Sequence, residues 1–83
     1  MTTAIILINT EVAAEDEVLE ELKKVEYVKE AYVVYGVYDI VAKIVTPNMD
    51  KLREVVTYYI RRLAKVRSTV TLIVVEGMEY RRE

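Results

Sequence analysis

The stretch Tyr27 to Thr46, Y-V-K-E-A-Y-V-V-Y-G-V-Y-D-I-V-A-K-I-V-T, decides how this chain folds. Its halves, Tyr27–Tyr35 and Tyr38–Thr46, are dense in valine, isoleucine and tyrosine, side chains that suit a pleated, half-buried surface. Only Gly36 and Val37 lie between them, and glycine takes the positive φ that a tight turn demands. The spacing predicts an antiparallel hairpin. In its second strand Val41 and Val45 alternate with Ile40, Ala42 and Ile44, so both faces are apolar and the strand belongs in the middle of a sheet. Asp39 stands at the entrance to that strand, a carboxylate beside an apolar wall.

Working outward, Thr3 to Asn9 carries the unbroken run Ala4, Ile5, Ile6, Leu7 and Ile8, too short for a helix and rich in β-branching. It reads as a second central strand, apolar on both faces. Glu11 to Val25 changes period: Ala14, Val18, Leu22 and Val25 recur at helical spacing, with acids early and Lys23 and Lys24 late, as the helix dipole prefers. After Pro47, Asn48 or Asp50 can cap a second helix whose Leu52, Val55, Val56, Tyr59 and Leu63 share the sheet-facing side. Val66 to Glu76 is the last strand, with Thr69, Thr71, Ile73 and Val75 on one face and Ser68, Val70, Leu72 and Val74 on the other. Gly77 closes it, and residues 77–83 form a charged tail.

The order β-α-β-β-α-β predicts an α+β fold of the ferredoxin-like kind, a four-stranded antiparallel sheet with two helices on one face. The other face is then apolar and uncovered. Four strands about 4.8 Å apart present roughly 300–400 Å² of sheet, which relief and flanking loops raise toward the ~800 Å² per partner of a stable interface. A second copy supplies a matching surface most cheaply, so a sheet-to-sheet homodimer is expected.

Composition narrows the function classes. Eighty-three residues make one domain, 1–83, and a chain this short buries only about 60% of its unfolded surface, so a partner subunit helps it. At 53% hydrophobic and 31% charged it is neither disordered nor membrane-spanning, and its amino terminus lacks the order of a signal peptide, which places it in the cytoplasm. With no cysteine and no histidine, it has no disulfides, no thiolate metal site and no imidazole base. No metal, cofactor or catalytic residue is assigned. Abundant Glu, Lys, Arg and Val without Cys, Gln, His or Trp resembles thermophile usage.

Some side chains carry alternatives. The Asp39 carboxylate either accepts N–H bonds from its own Gly36 turn or receives the ammonium of a small ligand, and its several lone pairs allow both. Ser68, Thr69 and Thr71 are either ordinary strand residues or hydrogen-bond partners for a ligand, with backbone amides of the turn as further donors. The seven tyrosines suggest base stacking, but a net charge of -2, a pI near 5.2 and the absence of phenylalanine or a Lys/Arg-Gly-aromatic signature argue against nucleic acid. Arg61, Arg62, Lys65 and Arg67 read as a helix C-terminus and a solvated face, Glu15, Glu17, Glu20 and Glu21 as a solvated helix face, and Tyr58 and Tyr59 as core or rim packing.

Val28 to Val45, V-K-E-A-Y-V-V-Y-G-V-Y-D-I-V-A-K-I-V, followed by a capped helix and V-R-S-T-V-T-L-I-V, resembles the effector-binding domain, or RAM, of the Lrp/AsnC feast/famine transcription regulators. The resemblance covers Thr3 to Glu76, and its most specific part is the Gly-x-x-Asp step from Gly36 to Asp39. With no helix-turn-helix ahead of Met1, the chain is similar to the stand-alone, or "demi", members, and direct DNA reading is not expected. The resemblance implies a small amino-acid effector bound between subunits and dimers assembled into rings such as octamers; a sensor of this kind is also expected to co-assemble with a full-length regulator. Carried over by position, Gly36, Val37, Tyr38 and Asp39 form the turn side of that site, and Ser68, Thr69 and Thr71 the strand side. Apolar residues around the turn favour an aliphatic or neutral effector, with Glu30 and Lys43 near enough to change that. The alternatives are a dimeric α+β barrel enzyme using Tyr38 or Asp39 for proton transfer, and a structural subunit in which Asp39 only holds the turn.

Overall fold

Alternation at period two runs through Thr2–Thr10 and Ile40–Thr46, and the computed structural model, which describes residues 1–82, pairs these segments as the central strands β1 and β3. Between them lie α1 (Glu15–Leu22) and β2 (Val28–Val33); after them come α2 (Met49–Val55), a π-helical turn (Val56–Ile60) and β4 (Val66–Ile73). The four strands form one antiparallel sheet in the order β2-β3-β1-β4, so the fold is the expected ferredoxin-like α+β arrangement. Its shortest dimension, 19 Å, is that of a sheet carrying helices on one side only.

The core lies between sheet and helices. Ala4, Ile6 and Ile8 of β1 and Ile40, Ala42 and Ile44 of β3 point into it and meet Val18 and Leu22 of α1, Leu52 and Val55 of α2, and Ile60. The intervening Ile5, Leu7, Val41 and Val45 occupy the other face, where this chain covers them only partly. On β4 the register sets Ser68, Val70 and Leu72 beside Asn9, Leu7 and Ile5 on the open face, and Thr69, Thr71 and Ile73 beside Ile8, Ile6 and Ala4 on the helix side. Leu72 and Ile73 are both about half exposed, so neither side of this edge strand is well covered.

Several boundaries differ from the sequence reading. The first helix begins at Glu15 rather than Glu11, because Ala13 at φ 63° breaks the helical path, and it ends at Leu22 rather than Val25. The hairpin connection is residues 34–39 rather than two residues, closed by the Val34 N–H donating to the Asp39 carbonyl at 2.9 Å. β4 ends at Ile73; only the Val74 N–H, bonded to the Thr3 carbonyl at 2.9 Å, continues the ladder toward Glu76. Past it, a turn at Gly77 leads into the tail, of which residue 83 lies outside the described residues.

The second helix also widens. Arg61 N–H reaches back five residues to the Val56 carbonyl at 2.9 Å, and the extra residue in that turn rotates every later side chain. Tyr59, expected on the sheet-facing side, is therefore 53% exposed, and Ile60 takes its place with no exposure at all. At the other end of α2, Asn48 caps the helix: its Oδ1 accepts the Lys51 N–H at 2.8 Å. Asn48→Ala is expected to cost about 1 kcal/mol, read as a fall in thermal midpoint of roughly 4–8 °C for a domain of this size.

Among the described residues no helix is long and apolar enough to cross a membrane, and no group of three or more His, Cys, Asp or Glu side chains gathers where it could hold a metal ion.

Candidate functional site

Asp39 stands one residue before β3, and its backbone N–H donates to the Ile8 carbonyl of β1 at 2.9 Å. Its carboxylate turns the same way: Oδ2 accepts the Thr10 N–H at 2.8 Å and lies 3.4 Å from the Thr10 hydroxyl. Thr10 is almost fully buried, and its hydroxyl also donates to the Glu11 carbonyl at 3.0 Å. The carboxylate thus fastens the hairpin loop to the end of the neighbouring strand. Accepting N–H bonds from its own Gly36 turn, the simpler sequence reading, is not what it does. The partner missed was Thr10, one residue beyond the strand expected to end at Asn9; opposite charge and length gave no sign of it, but an antiparallel pairing of β1 with β3 brings the two together.

Pinned at its base, the loop projects. Tyr35 is fully exposed and Val37 86% exposed, while Tyr38 and Asp39 at the base are half-buried. Gly36 has φ 148°, and a Cβ there would meet nothing within 4 Å, so glycine is required by the backbone angle and not by space. Among the described residues the amides of Tyr35 to Tyr38 donate to no protein acceptor. The loop therefore offers a set of unengaged N–H groups beside one carboxylate.

The strand side of the site sits at the same end of the sheet. Ser68 lies next to Asn9, whose side-chain amide donates to the Ser68 hydroxyl at 3.5 Å, and Val66 pairs with Thr10. The register slips by one between these pairs, which leaves Arg67 as the extra residue of a bulge. Asp39, Thr10, Ser68 and Thr69 are gathered at one corner. Thr71 is opposite Ile6, two residues farther along β4, and Thr69 and Thr71 face the helix side while Ser68 faces the open side.

The open face also carries a polar cluster, on β2 and β3. Lys43 Nζ is 4.0 Å from Glu30 Oε2, and the Tyr32 hydroxyl donates to Glu30 Oε1 at 2.7 Å. The bond to Glu30, followed by the repulsion a phenolate would feel from that carboxylate, holds the Tyr32 pKa above its ordinary value.

The sequence matches the model of the Lrp/AsnC ligand binding domain over residues 3–83. The chain belongs to the Lrp/AsnC ligand-binding domain family. Among solved structures it is similar to FFRP-DM1, at 41% identity and a TM-score of 0.87, covering 90% of this chain and all of that one. It also resembles AsnC of E. coli, at 29% identity and a TM-score of 0.89 over 99% of this chain; there it spans 56% of the longer protein. A transcriptional regulator of Neisseria meningitidis, solved in complex with L-Met, shares the fold with a TM-score of 0.84 over 95% of this chain and 53% of that one, at 15% identity. Among curated proteins no sequence matches. Lrp/AsnC relatives are transcription regulators, and the ligand-binding domain is the part that this chain corresponds to.

Proposed function

We propose that this chain is an amino-acid-sensing regulatory module, one that binds a small amino-acid effector at a subunit interface and thereby changes its own assembly or that of a full-length partner regulator. The observation that carries the reading is the Asp39 clamp: it fixes an exposed loop of unengaged amides at the corner of the sheet that also holds Ser68 and Thr69. Gly36, Val37 and Tyr38 would supply N–H donors to an effector carboxylate, and the second oxygen of Asp39 would take its ammonium. The Neisseria regulator was solved in complex with L-Met, whose ammonium and α-carboxylate are the two groups these residues would meet in any amino acid.

The bare, largely apolar sheet face supports a homodimer packed sheet to sheet, and the exposed Tyr35 and Val37 support further contacts between dimers in a ring such as an octamer. Function is then linkage: an effector shifts assembly only by its differential affinity for the states, with a coupling of roughly 1–3 kcal/mol. We read the chain as a binding module rather than an enzyme. Calorimetric titration with each of the twenty amino acids, followed by sedimentation velocity with and without the best binder, tests the proposal. Millimolar or tighter binding together with a changed sedimentation profile is expected, and no heat from any amino acid would leave a structural subunit as the better account.

A further inference from the structure

Most cations of this chain already have partners. Lys23, Lys24, Lys43, Lys51, Arg53 and Lys65 each pair with a carboxylate, and Arg62 and Arg82 lie over the rings of Tyr58 and Tyr80. Arg61 and Arg67, like Lys29 and Arg81, have neither kind of partner among the described residues, and these two arginines line the same concavity of about 250 Å³ with Val66, Ser68 and Thr69. Two features of the backbone bring them there. The π-helical turn ends at Ile60 and hands the chain on at Arg61, and the bulge in β4 falls on Arg67. Both are local departures from regular geometry, of the kind that re-aims a side chain.

Two guanidiniums, two hydroxyls and one valine make a lining suited to an oxyanion. A cleft of this volume takes a group of a few atoms rather than a polymer. The cleft shares Ser68 and Thr69 with the site proposed above. Asp39, at the entrance to β3, and Thr69 on β4 flank β1, so about 10 Å of sheet separates them, a span that an amino acid and the reach of an arginine cover together.

We propose that the Arg61–Arg67 cleft binds a side-chain carboxylate, which makes the effector an acidic amino acid rather than its neutral amide. This rests on the amino-acid-sensor reading and replaces the aliphatic or neutral preference suggested by the residues around the turn. It also gives Arg61 and Arg67 a role beyond that of a solvated basic face.

Titration of the intact protein with L-glutamate, L-glutamine, L-aspartate, L-asparagine, succinate and inorganic phosphate tests it. Each acid is expected to bind at least tenfold more tightly than its amide. Arg61→Gln and Arg67→Gln, both at exposed positions, are expected to weaken glutamate binding at least tenfold and so abolish that preference, with the thermal midpoint unchanged. Equal binding of glutamate and glutamine by the unsubstituted protein overturns the cleft assignment and leaves the sensor reading standing. Arginine-dependent binding of succinate without binding of any amino acid keeps the cleft and overturns the sensor. Phosphate binding more tightly than glutamate overturns the choice of carboxylate.

Discussion

Replacing Leu7 with glutamate is expected to turn the proposed sheet-to-sheet dimer into a folded monomer. Leu7 sits on the open face of the central strand β1, flanked by Val41 on β3 and Val70 on β4, with its backbone held in two ladders. The side chain contributes little to this chain's own core, which lies on the other face and is filled by Ile6 and Ile8. A glutamate there stays solvated in the monomer, so circular dichroism and the thermal transition should change little. In a sheet-to-sheet dimer the same carboxylate is buried against apolar side chains, and the two-fold axis buries two of them. Each uncompensated buried charge costs about 3–5 kcal/mol, so the dissociation constant should rise at least a thousandfold. Light scattering at micromolar concentration should read one chain for Leu7→Glu and two or more for the unsubstituted protein. A monomeric unsubstituted protein would remove the sheet as the interface, and a dimeric Leu7→Glu would place the interface elsewhere.

The faces of the sheet were legible because period two is unambiguous. Once Ile6 and Ile44 are inside, Leu7 and Val45 must be outside, and the same alternation separates Ser68 from Thr69 and Thr71. What escaped the sequence is set by contacts far apart in the chain. Tyr35 to Asp39 has strand-forming residues, yet the Asp39 N–H finds Ile8 and its carboxylate finds Thr10, and these bonds open the tight turn into a longer loop. The helical phase was readable only as far as Val56. Beyond it a single wide turn exchanges Tyr59 for Ile60, and no side-chain pattern announces one extra residue in a ring of hydrogen bonds. The Gly-x-x-Asp step was visible as a motif; its anchoring partner was not, because Thr10 had been placed past the strand end.

The two oxygens of Asp39 separate holding the loop from holding a ligand. Oδ2 serves Thr10, and among the described residues Oδ1 has no protein donor. Asp39→Ala removes both oxygens and strands the buried Thr10 N–H, which is expected to cost about 1–3 kcal/mol, or roughly 5–20 °C in thermal midpoint. Asp39→Asn can still offer its carbonyl oxygen to Thr10, so its stability should lie closer to that of the unsubstituted protein. The amide must then present an NH₂ group where the free carboxylate oxygen was, and NH₂ neither attracts nor accepts from an ammonium. Binding of the effector should therefore fall at least tenfold in Asp39→Asn while the melting curve barely moves. That split, measured by calorimetry and thermal unfolding on the same preparation, is the signature of a carboxylate with two duties. If Asp39→Asn keeps full affinity, the ammonium binds elsewhere and Asp39 acts only on the loop; if it melts as early as Asp39→Ala, the charge itself, rather than the acceptor geometry, secures Thr10.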